Sequence, residues 1–284
     1  MALEIYPLNL GNITLDKSGL VLFQDAGIKT TIPTLSFLIT GGEYPVLVDS
    51  GSRSTAYYSQ FGFEAEQTHE MTLEWNLAQH GLTPADIRYV IHTHAHVDHA
   101  GGDYLFPMTT TVSLSRRELS FAASGIMGPA MYALEDTRHL LDRLYTRGAL
   151  RLFDVDGSFE EEVIPGVTVR LSGGHTPGSI SVLVETAEGL ANICGDVVYN
   201  LEGSLIDPFL DSLNPGEPTI TGNRAMSTLE EKTAIKKALS GVRFILPSHD
   251  LPALVQGGRV TGVLHNAISN PKARVTDPSA YSLL

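Results

Sequence analysis

The chain has 284 residues, 19 Lys+Arg against 32 Asp+Glu and a formal net charge of −13, and its 43% hydrophobic share is that of a globular protein rather than a disordered one. The acidic balance argues against a protein built to hold extended nucleic acid, which needs clustered Lys and Arg. The single cysteine excludes an intrachain disulfide framework and a Cys-rich zinc ribbon, and no apolar run approaches the ~20 residues that span a bilayer.

Short apolar, β-branched runs bounded by Gly, Pro and Asp predict strands at Leu35–Thr40, Val46–Asp49, Arg88–Thr93 and Thr110–Leu114. Further strands are predicted at Val167–Ser172, Ile180–Thr186, Leu190–Asp196 and Val242–Pro247. Helices fall between them. One covers Met71–His80 and stops at Gly81, and a short helix or turn opens at Thr83-Pro84. A capping box at Ser227–Glu230 starts a helix that runs to Ser240 and is closed by Gly241. Residues 115–150 read as a helical insertion broken at 125–129, a pair covering the sheet. Within it Phe121, Met127, Met131 and Tyr132 are candidates for an apolar wall over a site. Residues 200–224 lack periodicity and are rich in Gly, Pro and Asn, which marks a long functional or mobile loop. The amino terminus has neither a basic region nor a long apolar core. The expectation is therefore an α/β chain forming a single domain over 1–284, cytoplasmic, with no membrane or nucleic-acid partner.

Residues 92–102 read His-Thr-His-Ala-His-Val-Asp-His-Ala-Gly-Gly, directly after a predicted strand. Imidazoles and a carboxylate clustered this densely are costly to bury unpaired, and a divalent cation resolves that cost. His94 and His96, two apart at a strand end, are expected to point the same way, with Asp98 and His99 on the following turn. One segment thus offers two ligand pairs for two adjacent metals. His92 is a candidate for orienting a ligand through its other ring nitrogen, or an ordinary packed residue. His69, His80, His139 and His265 have no motif around them and read as surface or packed histidines. Cys194 reads as a small core residue.

The His-x-His-x-Asp-His segment resembles the signature of the metallo-β-lactamase superfamily. The rest of that family's pattern follows in order: Gly174-His175-Thr176-Pro177-Gly178, Gly195-Asp196 at a strand end, and Ser248-His249-Asp250, with Asp49-Ser50-Gly51 resembling its early acidic strand end. The resemblance implies a four-layer αββα sandwich with the helical insertion near 115–150. It assigns His94, His96 and His175 to one metal, Asp98, His99 and His249 to a second, and Asp196 as the bridge. It implies two divalent ions, with zinc expected and manganese, iron or cobalt equally suited to these donors.

Two such ions imply hydrolysis by a shared hydroxide. Tyr199, three positions after Asp196, matches the offset at which N-acyl-homoserine lactonases place a substrate-facing phenol, so the resemblance is strongest to that quorum-quenching branch. It implies lactone opening, with Asp98, Asp196 and Tyr199 as catalytic groups. Apolar walls for a small-molecule lactone or ester are expected from Leu20–Phe23, Ile28–Leu35, Tyr57–Phe63 and Phe121–Tyr132. Glyoxalase-II-like thioesterases share all seven ligand types. Mononuclear iron persulfide dioxygenases have a similar motif, and a metal-dependent binding protein without catalysis stands as a third alternative. A homodimer is the prior expectation for an enzyme of this size.

Overall fold

The structure is a computed structural model that describes residues 2–124, 131–209, 216–222 and 226–284. Seven strands, β1 (Glu4–Asp16), β2 (Lys29–Thr40), β3 (Val46–Val48), β4 (Glu64–Glu66), β5 (Tyr89–Ile91), β6 (Thr111–Ser115) and β7 (Leu150–Phe153), form one sheet in the order β4-β1-β2-β3-β5-β6-β7. A second sheet holds β8 (Glu160–Ile164), β9 (Val167–Leu171), β10 (Ile180–Thr186), β11 (Gly189–Gly195), β12 (Phe244–Pro247), β13 (Ala253–Gln256), β14 (Arg259–Val263) and β15 (Ser282–Leu283), in unbroken sequence order across the sheet. The helices are α1 (Lys17–Leu20), α2 (Leu73–Gln79), α3 (Val97–Ala100), α4 (Arg116–Ala122), α5 (Leu134–Leu144) and α6 (Thr228–Leu239).

Side-chain alternation explains the layering. Phe37, Ile39, Val46, Val48 and Ile91 point inward to meet Val169, Val182, Ile193, Phe244 and Leu246 of the facing sheet. Their neighbours Leu38, Leu47, Val90 and Val112 point outward and are covered by Leu73 and Leu77 of α2, Leu119 of α4 and Leu140 of α5. On the far side, Cys194, Ile245 and Val255 pack under Ala234, Ile235 and Ala238 of α6. The central strands of each sheet are buried on both faces, which is why so many of them read as continuous apolar runs. The result is the four-layer αββα sandwich. Cys194 is the expected core residue, and burial pushes its thiol far above the ordinary range.

Several elements differ from the sequence expectation. β1, thirteen residues long, was not predicted; Pro7 and Gly11 interrupt its alternation, and its register with β2 shifts between Asn9 and Asn12. β2 begins at Lys29, six residues before the expected Leu35. The capping box at Ser227 and Glu230 is formed as expected and starts α6 at Thr228. The strand expected to reach Thr93 ends at Ile91, and Asp49 lies beyond β3 with φ +62, a left-handed conformation unusual for a non-glycine residue. In the 115–150 insertion, α4 and α5 flank the expected break, while Met127 lies outside the described residues, as do 210–215 and 223–225 of the predicted loop. The described parts of that loop dock against the turn after β1, through Leu22 N to Ile220 O and Gly222 N to Gly19 O.

Candidate metal centre

The ends of β5, β11 and β12 lie along one edge of the sandwich, because β5 runs parallel to β3 and β11 runs parallel to β12. His94 and His96 follow β5, Asp98 and His99 lie on α3, Asp196 follows β11 and His249 follows β12. His175 sits on the connection between β9 and β10. All seven residues are buried and form two groups, His94/His96/His175/Asp196 and Asp98/His99/His249, with the donor atoms of each group within 4.8 Å of one another.

The geometry divides at Asp196. Its Oδ2 lies 3.7 Å from His94 Nε2 and 3.5 Å from His175 Nε2. Its Oδ1 lies 3.1 Å from His99 Nε2 and 3.4 Å from His249 Nε2. Asp98 faces the second group, with Oδ2 3.3 Å from His249 Nε2. In the first group His96 Nδ1 sits 3.0 Å from His94 Nε2 and 3.1 Å from His175 Nε2. A tetrahedral zinc with bonds of about 2.0–2.2 Å spaces its ligands about 3.3–3.6 Å apart, close to these separations.

A cation fits this set on chemical grounds. Three imidazole nitrogens meeting at one point cannot all be satisfied by shared protons, whereas a cation takes all their lone pairs. Burial, reinforced by neighbouring imidazoles, holds His94 and His96 far below the usual histidine range, and burial lowers His175 to about 4, so these rings are neutral donors. Burial opposes charge on His249, but Asp196 and Asp98 raise it to about 10. Burial likewise opposes charge on Asp98, and His99 and His249 bring it down to about 2. In the second group the carboxylates thus favour positive charge at the point where its donors meet. Asp196 Oδ1 and His99 Nε2 are buried 3.1 Å apart without an aligned hydrogen bond, as two groups directed at a common cation would be.

The donors are held from behind. His99 Nδ1 meets Asp49 Oδ2 at 2.8 Å, and the other oxygen of Asp49 accepts from Thr93 N at 2.8 Å. His249 Nδ1 donates to Pro33 O at 2.8 Å. Gly102 lies so close to the Ser50 carbonyl that a Cβ would collide with it, which lets the segment after α3 press against the Asp49 turn. His92 is not behind a donor as such. It bonds Asp103 Oδ1 at 2.8 Å, with its other nitrogen 3.6 Å from Asp49 Oδ1, and although burial opposes it these carboxylates raise it to about 9. The expected co-pointing of His94 and His96 does not come from strand alternation, since β5 has already ended. It comes from an irregular loop held by Ala95 N donating to Glu118 Oε1 at 2.9 Å. His80 packs at 4.7 Å on Tyr6 and bonds Pro271 O, and His139 bonds Asp103 O, both away from the donors. His69 and His265 lie in neither donor group.

A cavity of about 270 Å³ opens over the two groups, with His96, Asp98, Asp196, Tyr199 and His249 in its lining. Tyr199 donates to Asp196 Oδ2 at 2.7 Å and stacks on His249 at 5.2 Å. The walls are Ile13, Leu15, Ile32, Tyr58, Phe61, Phe63, Val97 and Met131; no Lys or Arg lines the cavity among the described residues. Of the expected wall segments, Ile28–Leu35 contributes Ile32, Tyr57–Phe63 contributes Tyr58, Phe61 and Phe63, and the insertion contributes Met131. Leu20 and Val21 are buried in the packing behind the wall, and Phe121 lines a separate surface groove with Arg116 and Phe153. Tyr132 packs edge-on against His96 at 4.8 Å rather than lining the cavity. Ile13 and Leu15 were missed because β1 was missed. Glu118 was missed because Ser115-Arg116-Arg117-Glu118 reads as a helix cap, and in the structure its amide does bond Ser115 Oγ while its carboxylate turns inward.

The metallo-beta-lactamase superfamily model matches residues 30–249, and the chain belongs to that superfamily. Among curated relatives it is 28% identical over 209 residues to an N-acyl homoserine lactonase of Bacillus cereus, covering 70% of this chain and 77% of the relative. It is 26% identical over 241 residues to the lactonase AttM of Azorhizobium caulinodans, covering 81% and 90%. Among solved structures, a B. thuringiensis AiiA variant with N-decanoyl-L-homoserine at its active site superposes with a TM-score of 0.68 at 23% identity, covering 88% and 94%. The dizinc quorum-quenching lactonase AidC superposes at 0.64 and 16% identity, covering 91% and 92%. At these identities the superpositions establish the fold. Among the described residues no helix is long and apolar enough to cross a membrane.

Proposed function

We propose that this chain is a dinuclear metal hydrolase that opens the ring of an N-acyl homoserine lactone or a lactone of similar shape. The observation that carries the reading is the coincidence of a donor set divided at Asp196, one carboxylate oxygen to each half, with a cavity directly above it whose walls are apolar and, among the described residues, hold no Lys or Arg. His94, His96 and His175 would hold one ion, Asp98, His99 and His249 the other, and Asp196 both. Zinc is the expected metal. Bound there, two divalent ions supply hydroxide at neutral pH and polarise a carbonyl oxygen.

The chain's own groups do the rest. Tyr199 lies in the cavity lining with its hydroxyl at Asp196, where it can turn its O–H to the carbonyl oxygen as negative charge develops. Asp98, also in the lining, is placed to take the proton released on attack and return it to the ring oxygen as the C–O bond breaks. Opening a lactone leaves both product groups on one molecule, so the cavity needs room for a ring and one substituent. Ile13, Leu15, Ile32 and Phe63 offer that substituent an apolar wall. The absence of a lining Lys or Arg among the described residues favours this over a thioesterase acting on an anionic carrier. The lactonase names of the curated relatives support the same choice.

The deciding experiment is a substrate panel on metal-analysed protein, read by proton release. Two ions per chain with turnover of acyl homoserine lactones are expected. Thioester cleavage without lactone opening would overturn the substrate assignment, and tight metal without hydrolysis of any ester, lactone or thioester would overturn the enzymatic one.

A further inference from the structure

The two halves of the donor set have different direct supports, although Asp49 also reaches His94 indirectly, through the Thr93 hydroxyl that it holds. Behind His99 stands Asp49, and behind His249 the carbonyl of Pro33. Behind the other half stands Glu118, a fully buried carboxylate that touches no donor atom. Its Oε1 accepts from Ala95 N at 2.9 Å and from the Tyr132 hydroxyl at 3.0 Å, and its Oε2 accepts from the Thr176 hydroxyl at 2.6 Å. Ala95 lies between His94 and His96, and Thr176 follows His175. One carboxylate therefore ties together the two chain segments, about eighty positions apart in sequence, that carry all three imidazoles of that half.

The contact is tight at backbone level too. Ser115, which caps α4 beneath Glu118, donates to Gly178 O at 2.6 Å, and a Cβ at Gly178 would collide with the Glu118 backbone. Thr176 Oγ1 is in turn 2.7 Å from Ser179 Oγ, so the His175 loop is closed upon itself as well as onto α4. Tyr132, the third donor to Glu118, lays its ring against His96. Burying a carboxylate is costly unless its bonds are used, and two of the three neutral donors to Glu118 lie on the histidine loops of one half while the third, Tyr132, packs on His96 of that half.

We propose that Glu118 is the positioning residue for the His94/His96/His175 position, so that this position has a support of its own and an affinity that can be changed with less effect on the other. This rests on the dinuclear reading above. Glu118→Gln keeps the shape but replaces one acceptor oxygen with a donor NH2, which opposes either the Ala95–Tyr132 pair or Thr176. Thr176→Val removes the hydroxyl's bonds to Glu118 and Ser179 without introducing an opposing donor, and is the gentler variant.

The test is stepwise zinc removal from the holoenzyme by a competing chromophoric chelator, with cobalt-substituted absorption spectra as a second readout of donor geometry. The expectation for E118Q is a 10–100-fold loss of affinity at one of the two positions, as for other residues that orient metal ligands, with the other unchanged. T176V should weaken the same position by a smaller factor, and the apo forms of both should still melt in one cooperative step at a modestly lower temperature. D49N should weaken the opposite position more than this one, which Asp49 reaches only through Thr93. Equal weakening of both positions, or no change at either, overturns the proposal. Should the wild type hold a single ion, the dinuclear reading fails, and Glu118 is judged on whether E118Q weakens that ion.

Discussion

The floor and the walls of the cavity are built by opposite means. The floor is polar, comes from the ends of strands in both sheets, and is fixed by bonds behind each donor, as at Asp49, Pro33 and Glu118. The walls are apolar, come from the far end of β1, from β2, from residues 57–63 and from Met131, and are held by packing. Directional bonds fix angles and so suit groups that must present lone pairs; packing fixes volume and suits groups that must accommodate a chain. The floor should therefore answer to substitution by losing chemistry, the walls by changing preference.

The largest effect should come from the floor itself. Removing one imidazole with His96→Ala should take activity to background and lower metal content together, measured by turnover and metal analysis on one preparation; retained activity would break the assignment of the donors. Next is Tyr199→Phe, which keeps the ring on His249 and removes only the hydroxyl. Turnover should fall about 10²-fold with metal content unchanged, the size seen when one oxyanion donor is lost. A fall in metal content instead would make the phenol a support for Asp196.

Asp49→Asn should act through His99, weakening metal affinity about 10–100-fold, read by chelator competition. The smallest effects belong to the walls. Each CH2 added to a substrate's acyl chain should gain about fourfold in kcat/KM while the wall has room, since burying one CH2 is worth about 0.8 kcal/mol. Phe63→Ala should move the optimum to longer chains without changing metal content. A wall variant that altered metal content, or a flat chain-length profile, would blur the division between floor and wall.

Much of the floor is legible in the chain because its donors are few in type and grouped in sequence. His94, His96, Asp98 and His99 stand within six positions, and His175, Asp196 and His249 each follow a strand or precede one in a short motif. The strands nearest the site were legible for a related reason: buried on both faces, they are unbroken apolar runs. β1 was not, because Pro7 and the irregularity at Asn9–Asn12 erase its alternation. β13 to β15 are short and were hidden in the same way, their register set by neighbours rather than by their own pattern.

What the sequence determined by itself is which atoms can bind a cation, and in what order they occur, because that is a property of side-chain chemistry and local spacing. The tertiary structure decided which oxygen of Asp196 faces which histidines, which nitrogen of His96 turns to its partners, and that the Glu118 carboxylate turns inward to Ala95 and Thr176. It also decided the cavity, whose wall unites Ile13, Ile32, Phe63 and Met131 from four separate segments. Those are matters of distance and direction between residues remote in the chain, and such distances exist only once the sheets have packed.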